Sequence, residues 1–259
     1  MHKEIRYKLL IGFLCHLFLV STISAQKTNP NGYNKFYFDN GQLSSEGNLR
    51  NGFPEGYWKN YYENGILKSE GNRDGHQLDS IWKFYNSDGI LTEEISFKEG
   101  KKNGVSRKYN NEGFLLSTIP FEKDRKSGIA FSYFTNGRIH IETPFVNGAE
   151  NGKEFEFSFK GEIITITEYQ NGIFVKQEKI NRKDKGGNKQ GLWKEFYEDR
   201  TVKNEGRYQD NLKHGYWKEY SSSYSKATVP DTVSPRNLQF SAVNVPDNVV
   251  KSDLVTEMS

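Results

Sequence analysis

Gly56-Tyr57-Trp58-Lys59-Asn60-Tyr61-Tyr62-Glu63-Asn64-Gly65-Ile66-Leu67-Lys68-Ser69-Glu70-Gly71 is the stretch on which the fold turns. Rings crowd its first six residues, as on a pleated surface, and Asn64-Gly65 then supplies the positive backbone angles of a tight hairpin turn. A branched aliphatic, Leu67, follows two residues after the turn glycine, where it pairs across the hairpin with Tyr61. Moving outward, the same unit recurs with a 24-residue period. Its starts are Gly32, Gly56, Ser80, Gly104, Gly128 and Gly152, then Gly191 and Gly215 after a 15-residue insertion. Five positions beyond each start stands a ring: Tyr37, Tyr61, Tyr85, Tyr109, Tyr133, Phe157, Phe196 and Tyr220. The turn glycine recurs as Gly41, Gly65, Gly89, Gly113, Gly137 and Gly161, and Arg200 alone breaks the series.

A second turn, at Asn51-Gly52, Asp74-Gly75, Glu99-Gly100, Asn147-Gly148 and Asn171-Gly172, returns the chain to the next start. Each copy is therefore two antiparallel strands and two turns. A unit this short cannot bury its own apolar side, so the copies stack into one all-β, elongated hairpin array of about eight copies. At about 4.8 Å per strand the array is roughly 70 Å long if nothing folds back. Pro120 and Pro144 share one offset, and there the second strand is expected to end or bulge. The insertion carries Ile173 to Ile180, a possible extra strand, and a polar loop from Asn181 to Gln190.

The ends differ from the middle. Lys3, Arg6 and Lys8, an apolar run from Leu9 to Val20, and small residues up to Ala25 describe a signal peptide, with cleavage before Gln26 and the mature chain exported to the periplasm, envelope or exterior. The repeat domain then spans 26–220, and a Ser-, Val- and Pro-rich tail occupies 221–259. That tail reads as largely disordered, with one capping strand possible near Leu238 to Val243.

Without residues 1–25 the chain holds 33 Lys/Arg against 32 Asp/Glu, so its charge balance gives no reason to expect nucleic acid as a partner. Cys15 is the single cysteine and lies in the leader, which excludes disulfides, thiolate metal sites and a cysteine nucleophile from the mature chain. His76, His140 and His214 fall at three different offsets, without ligand spacing, and no nucleophile elbow or phosphate-binding glycine loop occurs. Neither a catalytic set, a cofactor nor a metal is expected, and no membrane-spanning segment after leader removal.

Two features remain as candidates. Glu46, Glu70, Glu94, Glu142 and Glu205 share one offset and form a carboxylate row suited to a cation or to glycan chemistry; solvation, with neutralisation by Lys35, Lys59, Lys83, Lys194 and Lys218, is the favoured reading. All four tryptophans, Trp58, Trp82, Trp193 and Trp217, stand at offset two, and the middle copies carry Ser106, Ala130 and Glu154 there. Strand alternation puts them on the face opposite the ring row, where they form a candidate binding surface for a protein or a sugar. Inward packing over the preceding turn glycine is the favoured alternative. Basic turn residues such as Lys101, Lys102, Arg125 and Lys126 are read as solvated rather than as a lipid contact.

The quoted stretch, with His214-Gly215-Tyr216-Trp217-Lys218-Glu219-Tyr220, resembles the bacterial variant of the MORN repeat over about residues 32 to 220. The resemblance implies a β-hairpin repeat fold and brings no catalytic residues. Chains of this type are often labelled putative antitoxins, which implies binding and neutralising a partner protein. The expected function is that of an exported, non-enzymatic protein-binding or scaffold module, with an antitoxin role and glycan binding through the tryptophans as alternatives.

Overall fold

The computed structural model describes residues 28–221. The expected signal peptide, its expected cleavage site before Gln26 and the tail from residue 222 onward, with the expected capping strand near Leu238 to Val243, lie outside the described residues. Strands follow one another in the order β1 (Gly32–Tyr37), β2 (Leu43–Arg50), β3 (Phe53–Tyr61), β4 (Leu67–Asp74), β5 (Gln77–Tyr85) and β6 (Leu91–Lys98). The middle copies add β7 (Lys101–Lys102), β8 (Gly104–Tyr109), β9 (Leu115–Glu122), β10 (Arg125–Lys126), β11 (Gly128–Tyr133), β12 (Ile139–Val146), β13 (Ala149–Glu150), β14 (Gly152–Phe157), β15 (Ile163–Gln170) and β16 (Ile173–Lys179). These form one 16-stranded antiparallel meander. A second sheet of four strands follows: β17 (Arg182–Lys183), β18 (Lys189–Phe196), β19 (Val202–Gln209) and β20 (Leu212–Glu219).

The two turns of each copy are chemically different. After the ring strand, Tyr62 N–H donates to Ile66 O at 2.8 Å and Gly65 N–H to Tyr62 O at 2.9 Å, with Gly65 at φ +83° and Asn64 outside the positive region. This is a type I turn closed by a left-handed glycine, a three-residue loop rather than the tight two-residue turn expected from Asn64-Gly65. The extra residue produces a register shift beside the conserved ring in every such hairpin, as between Asn60 and Tyr61. Arg200 keeps the left-handed backbone, at φ +65°, although it is not glycine. The return turns are the two-residue kind, with positive φ at both central residues, for example Asn51 and Gly52 at +52° and +81°. In the second copy's return the pair is Gly75 and His76, one residue later than Asp74-Gly75 suggests.

The strands run through both prolines. Pro120 sits opposite Val105 within β9, and Pro144 opposite Ile129 within β12. The interruption falls on the neighbouring strand instead, at Ser127 and Asn151, whose N–H groups donate to the Pro120 and Pro144 carbonyls at 3.0 and 2.9 Å. Proline rings fill the space beside the start glycines: a Cβ on Gly128 or Gly152 would lie 3.3 or 3.2 Å from the proline Cγ.

The array does fold back. β16 closes the first sheet, Ile180 is completely buried, and the chain then turns into β17. Asn181 holds this corner. Its Nδ2 donates to the Ile163 and Lys194 carbonyls, both at 2.9 Å, and its Oδ1 accepts from Lys194 N–H at 2.8 Å. The second sheet packs face to face on the last copies of the first through Phe155, Phe157, Ile163, Ile166 and Ile180, with Leu192 and Phe196 opposite. The segment 181–190 is thus the opening of a second sheet and not a loop projecting from a rod.

Candidate interaction surface

Antiparallel register assigns every side chain to one of two faces, because directly opposed residues point the same way. One face carries the tryptophans. Trp58 lies opposite Gly47 and Gly71, and Trp82 opposite Ile95. Trp58, Trp82 and Trp193 are 5%, 2% and 9% exposed, and Trp217 is half-buried. Each of three indoles rests on a glycine of the preceding strand: a Cβ on Gly47 would lie 2.5 Å from the Trp58 ring, and Gly71 and Gly206 are covered in the same way by Trp82 and Trp217. The indole N–H groups of Trp58 and Trp82 donate to the Asn48 and Asn72 carbonyls at 3.0 and 2.7 Å. The tryptophans therefore do not form an exposed platform. They pack inward, and the glycine they cover belongs to a strand, not to a turn.

The same face explains why the middle copies lack tryptophan. Where Gly47, Gly71 or Gly206 leaves space, the next copy supplies Trp58, Trp82 or Trp217. Where Ile95, Ile119 or Thr143 takes that position, the next copy supplies Ser106, Ala130 or Glu154. Bulk is exchanged across the strand pair, which keeps packing dense with one small partner in nearly every pair. Leu49, Trp58 and Trp82, with Phe36, Leu78, Phe84 and Phe97 around them, make the apolar cluster of this end. A row of aromatic residues 17 positions beyond the starts, Phe97, Phe121, Phe145, Tyr169 and Tyr208, joins this face; Leu49 and Arg73 occupy the first two places. That row was readable from the 24-residue grid but carries no turn signal to draw the eye.

The opposite face carries the ring row and the charges. Register sets Lys35, Glu46, Lys59, Glu70, Lys83, Glu94 and Arg107 side by side across β1 to β8. The row continues through Thr118, Phe131, Glu142, Phe155, Ile166 and Glu178. The recurring tyrosines are not a hydrophobic core here. Tyr61, Tyr85 and Tyr109 donate their hydroxyls to Glu46, Glu70 and Glu94 of the preceding copy at 2.6, 2.7 and 2.8 Å, and Tyr220 does the same to Glu205 at 2.7 Å. Where Thr118 replaces the glutamate, Tyr133 bonds its hydroxyl at 3.0 Å. Where Phe157 replaces the tyrosine, Glu142 takes Arg200 of the second sheet at 3.4 Å instead.

Hydrogen bonding and burial shift the acidity of several groups on this face. Hydrogen bonds from Tyr61 and Tyr33 hold Glu46 below the ordinary carboxylate range. Burial, then the Glu94 bond, pushes the Tyr109 hydroxyl up to about 12. In the joint between the sheets, burial works to lower the Lys194 ammonium, but bonds to Glu178 at 2.6 Å and Glu205 at 3.3 Å outweigh it and hold it above its usual value. A cavity of about 90 Å³ remains in this joint, beside Phe155, Ile166 and Arg200. His76 lies tilted against Phe53 at 5.1 Å, His140 lies 4.3 Å from Phe134, and His214 borders an open groove beside Gly215 and Tyr216. No group of three His, Asp or Glu side chains among the described residues is arranged to hold a metal.

Over the first four copies none of the described residues covers the charged face. Tyr33, Tyr57, Ile81 and Ile129, one residue after their starts, are 56%, 54%, 49% and 46% exposed, and Tyr37 is 48% exposed. They flank the charge row along its length.

Residues 30–51, 54–74 and 78–99 each match the MORN repeat variant family. These matched spans are the first three copies, and the hairpins from Gly104 to Tyr220 continue the same unit in structure. No curated protein is significantly similar to the chain. MORN-variant repeats belong to a class of repeat modules that in general bind proteins or membranes and are not themselves catalytic. No helix among the described residues is long and apolar enough to cross a membrane.

Proposed function

We propose that the protein is an exported, non-enzymatic binding module that holds a protein partner in the cell envelope or outside it. The observation that carries this reading is the ring-and-charge face that the described residues leave uncovered, on which Tyr33, Tyr57 and Ile81 stand exposed in a row beside alternating lysines and glutamates. Such a row exposes apolar area that burial against a partner would remove from water, and Tyr is among the residues that dominate interface energies. An antitoxin or immunity role is the same binding aimed at a toxic partner. Binding at this face is tested by affinity capture with the chain from Gln26 onward and with a Tyr57→Ser/Ile81→Ser variant. A partner retained by the first and lost by the second, with unchanged circular dichroism, is the expected result. Equal capture by both removes this face from the function.

A further inference from the structure

We infer that the uncovered ring-and-charge face of the first copies associates with a second copy of this chain, the two sheets meeting face to face about a two-fold axis. This rests on the reading of that face as the binding face and names its partner.

The first argument is continuity with a contact the protein already makes. The transverse row that begins at Lys35 ends at Glu142, Phe155, Ile166 and Glu178, and there it is covered by the chain's own second sheet. Phe155 and Phe196 meet edge to face at 6.4 Å across that joint, and Lys194 reaches Glu178. The second sheet approaches with the side chains at offsets one, three and five of its copy: Leu192, Lys194 and Phe196. The first sheet presents the same three offsets outward as Tyr57, Lys59 and Tyr61, and as Ile81, Lys83 and Tyr85. An apolar residue, a lysine and a ring in that order is thus a surface that this molecule itself buries against another face of its own kind. The uncovered copies repeat it without a partner among the described residues.

The second argument is charge order. Seven consecutive strands carry plus, minus, plus, minus, plus, minus, plus in the row Lys35, Glu46, Lys59, Glu70, Lys83, Glu94 and Arg107. A two-fold axis parallel to the strands and midway between two near the row's centre reverses the row and sets three of its four cations against the three carboxylates of the other copy, one end cation being left over. The same axis placed on a strand sets like against like. An alternating row therefore accepts a second copy of itself in one family of registers and rejects the other, which is how charge patterns specify a partner. An isologous contact of this kind closes on itself as a dimer.

The third argument is extent. Seven strands at about 4.8 Å, each contributing five residues at about 3.3 Å, present roughly 550 Å² per copy. The pair then buries on the order of 1,100 Å², which reaches the size of a specific reversible contact but not that of an obligate dimer.

Sedimentation velocity of the chain from Gln26 to Ser259 over a wide concentration range tests this directly. The expected result is a reversible monomer–dimer equilibrium. It should weaken about tenfold or more in Tyr57→Ser/Ile81→Ser, weaken again in Lys83→Glu, and weaken on raising the salt, since the facing pairs are screened. Tyr57, Ile81 and Lys83 are all exposed, and circular dichroism melts of each variant establish that the monomer fold persists. A chain that stays monomeric up to about 200 µM overturns the proposal, as does a dimer indifferent to all three changes. If the monomeric chain still captures another protein, and loses it in Tyr57→Ser/Ile81→Ser, the binding face stands and only its self-association falls. If that capture is also indifferent, both readings fall.

Discussion

At the residue scale the array is built from exchanges between neighbouring copies. Tyr85 and Glu70 are 15 residues apart, and each owes its place to the other: the hydroxyl satisfies a carboxylate that would otherwise share a half-buried surface with Lys59 and Lys83 alone. Gly71 is small because Trp82 occupies the volume where its side chain would stand. A methyl group at Gly71 cannot be absorbed by a flexible tip, since the obstacle is a rigid ring buried to 2% exposure. Gly71→Ala is therefore expected to cost about 2 kcal/mol, as overpacked cores do. Gly41→Ala is the control. Its Cβ meets nothing within 4 Å, so only the left-handed backbone, φ +79°, is strained, at about 1 kcal/mol. Urea melts of the two variants separate volume from backbone; equal losses would mean that the indole yields.

At the element scale the decisive piece is the corner between β16 and β17. A meander continues as long as each strand pairs with the next, and it is Asn181 that stops this one. Its left-handed backbone, φ +53°, turns the chain, while its amide bridges Ile163 of the first sheet and Lys194 of the second. Both carbonyls and the N–H lose a partner if that amide is removed. Asn181→Ala is expected to cost about 2–3 kcal/mol, as buried groups left unpaired do. The loss should be local. Amide exchange should accelerate in β18 to β20 and stay slow in β3 to β6, whose own bonds do not involve the corner. Uniform acceleration would show instead that the two sheets unfold as one unit.

At the scale of the whole molecule, pH separates the joint from the array. Bonds from Lys194 hold Glu178 below its ordinary value, and bonds from Tyr220 first, then Lys194, do so for Glu205. A carboxyl depressed by folding stabilises the fold above its unfolded value of about 4.3 and loses that contribution as pH falls through the depressed folded value. Lys194, raised by folding, contributes below about 10.4 and loses its contribution as pH rises through the raised folded value. The second sheet is therefore held most firmly between these limits. On acidification below about pH 4 the Phe155–Phe196 joint should loosen before the Trp58–Trp82 cluster, whose closest neighbours are apolar. Fluorescence of Trp193, on the face of β18 away from the joint, reports the second sheet in a variant with the other three tryptophans changed to phenylalanine, and the converse variant, with Trp193 and Trp217 changed, reports Trp58 and Trp82. A transition coincident with that of Trp58 and Trp82 would refute the order.

By itself the sequence determined the period, the antiparallel hairpin unit, the positions of the turns to within a residue and the pairing of Tyr61 with Leu67, because each depends on neighbours within one copy. It also contained the MORN-variant resemblance that residues 30–99 bear out. What it left open depends on neighbours in the next copy or beyond. Whether Trp58 faces water or Gly47 is decided by the residue opposite it on another strand. Whether Tyr85 packs as a hydrocarbon or donates to Glu70 is decided 15 residues away. Arg200, which breaks the turn series in sequence, is explained only by Glu142, 58 residues distant, across a joint that no periodicity announces. Local chemistry sets the repeat, and the tertiary structure alone decides where the repeat turns back and which face it leaves open.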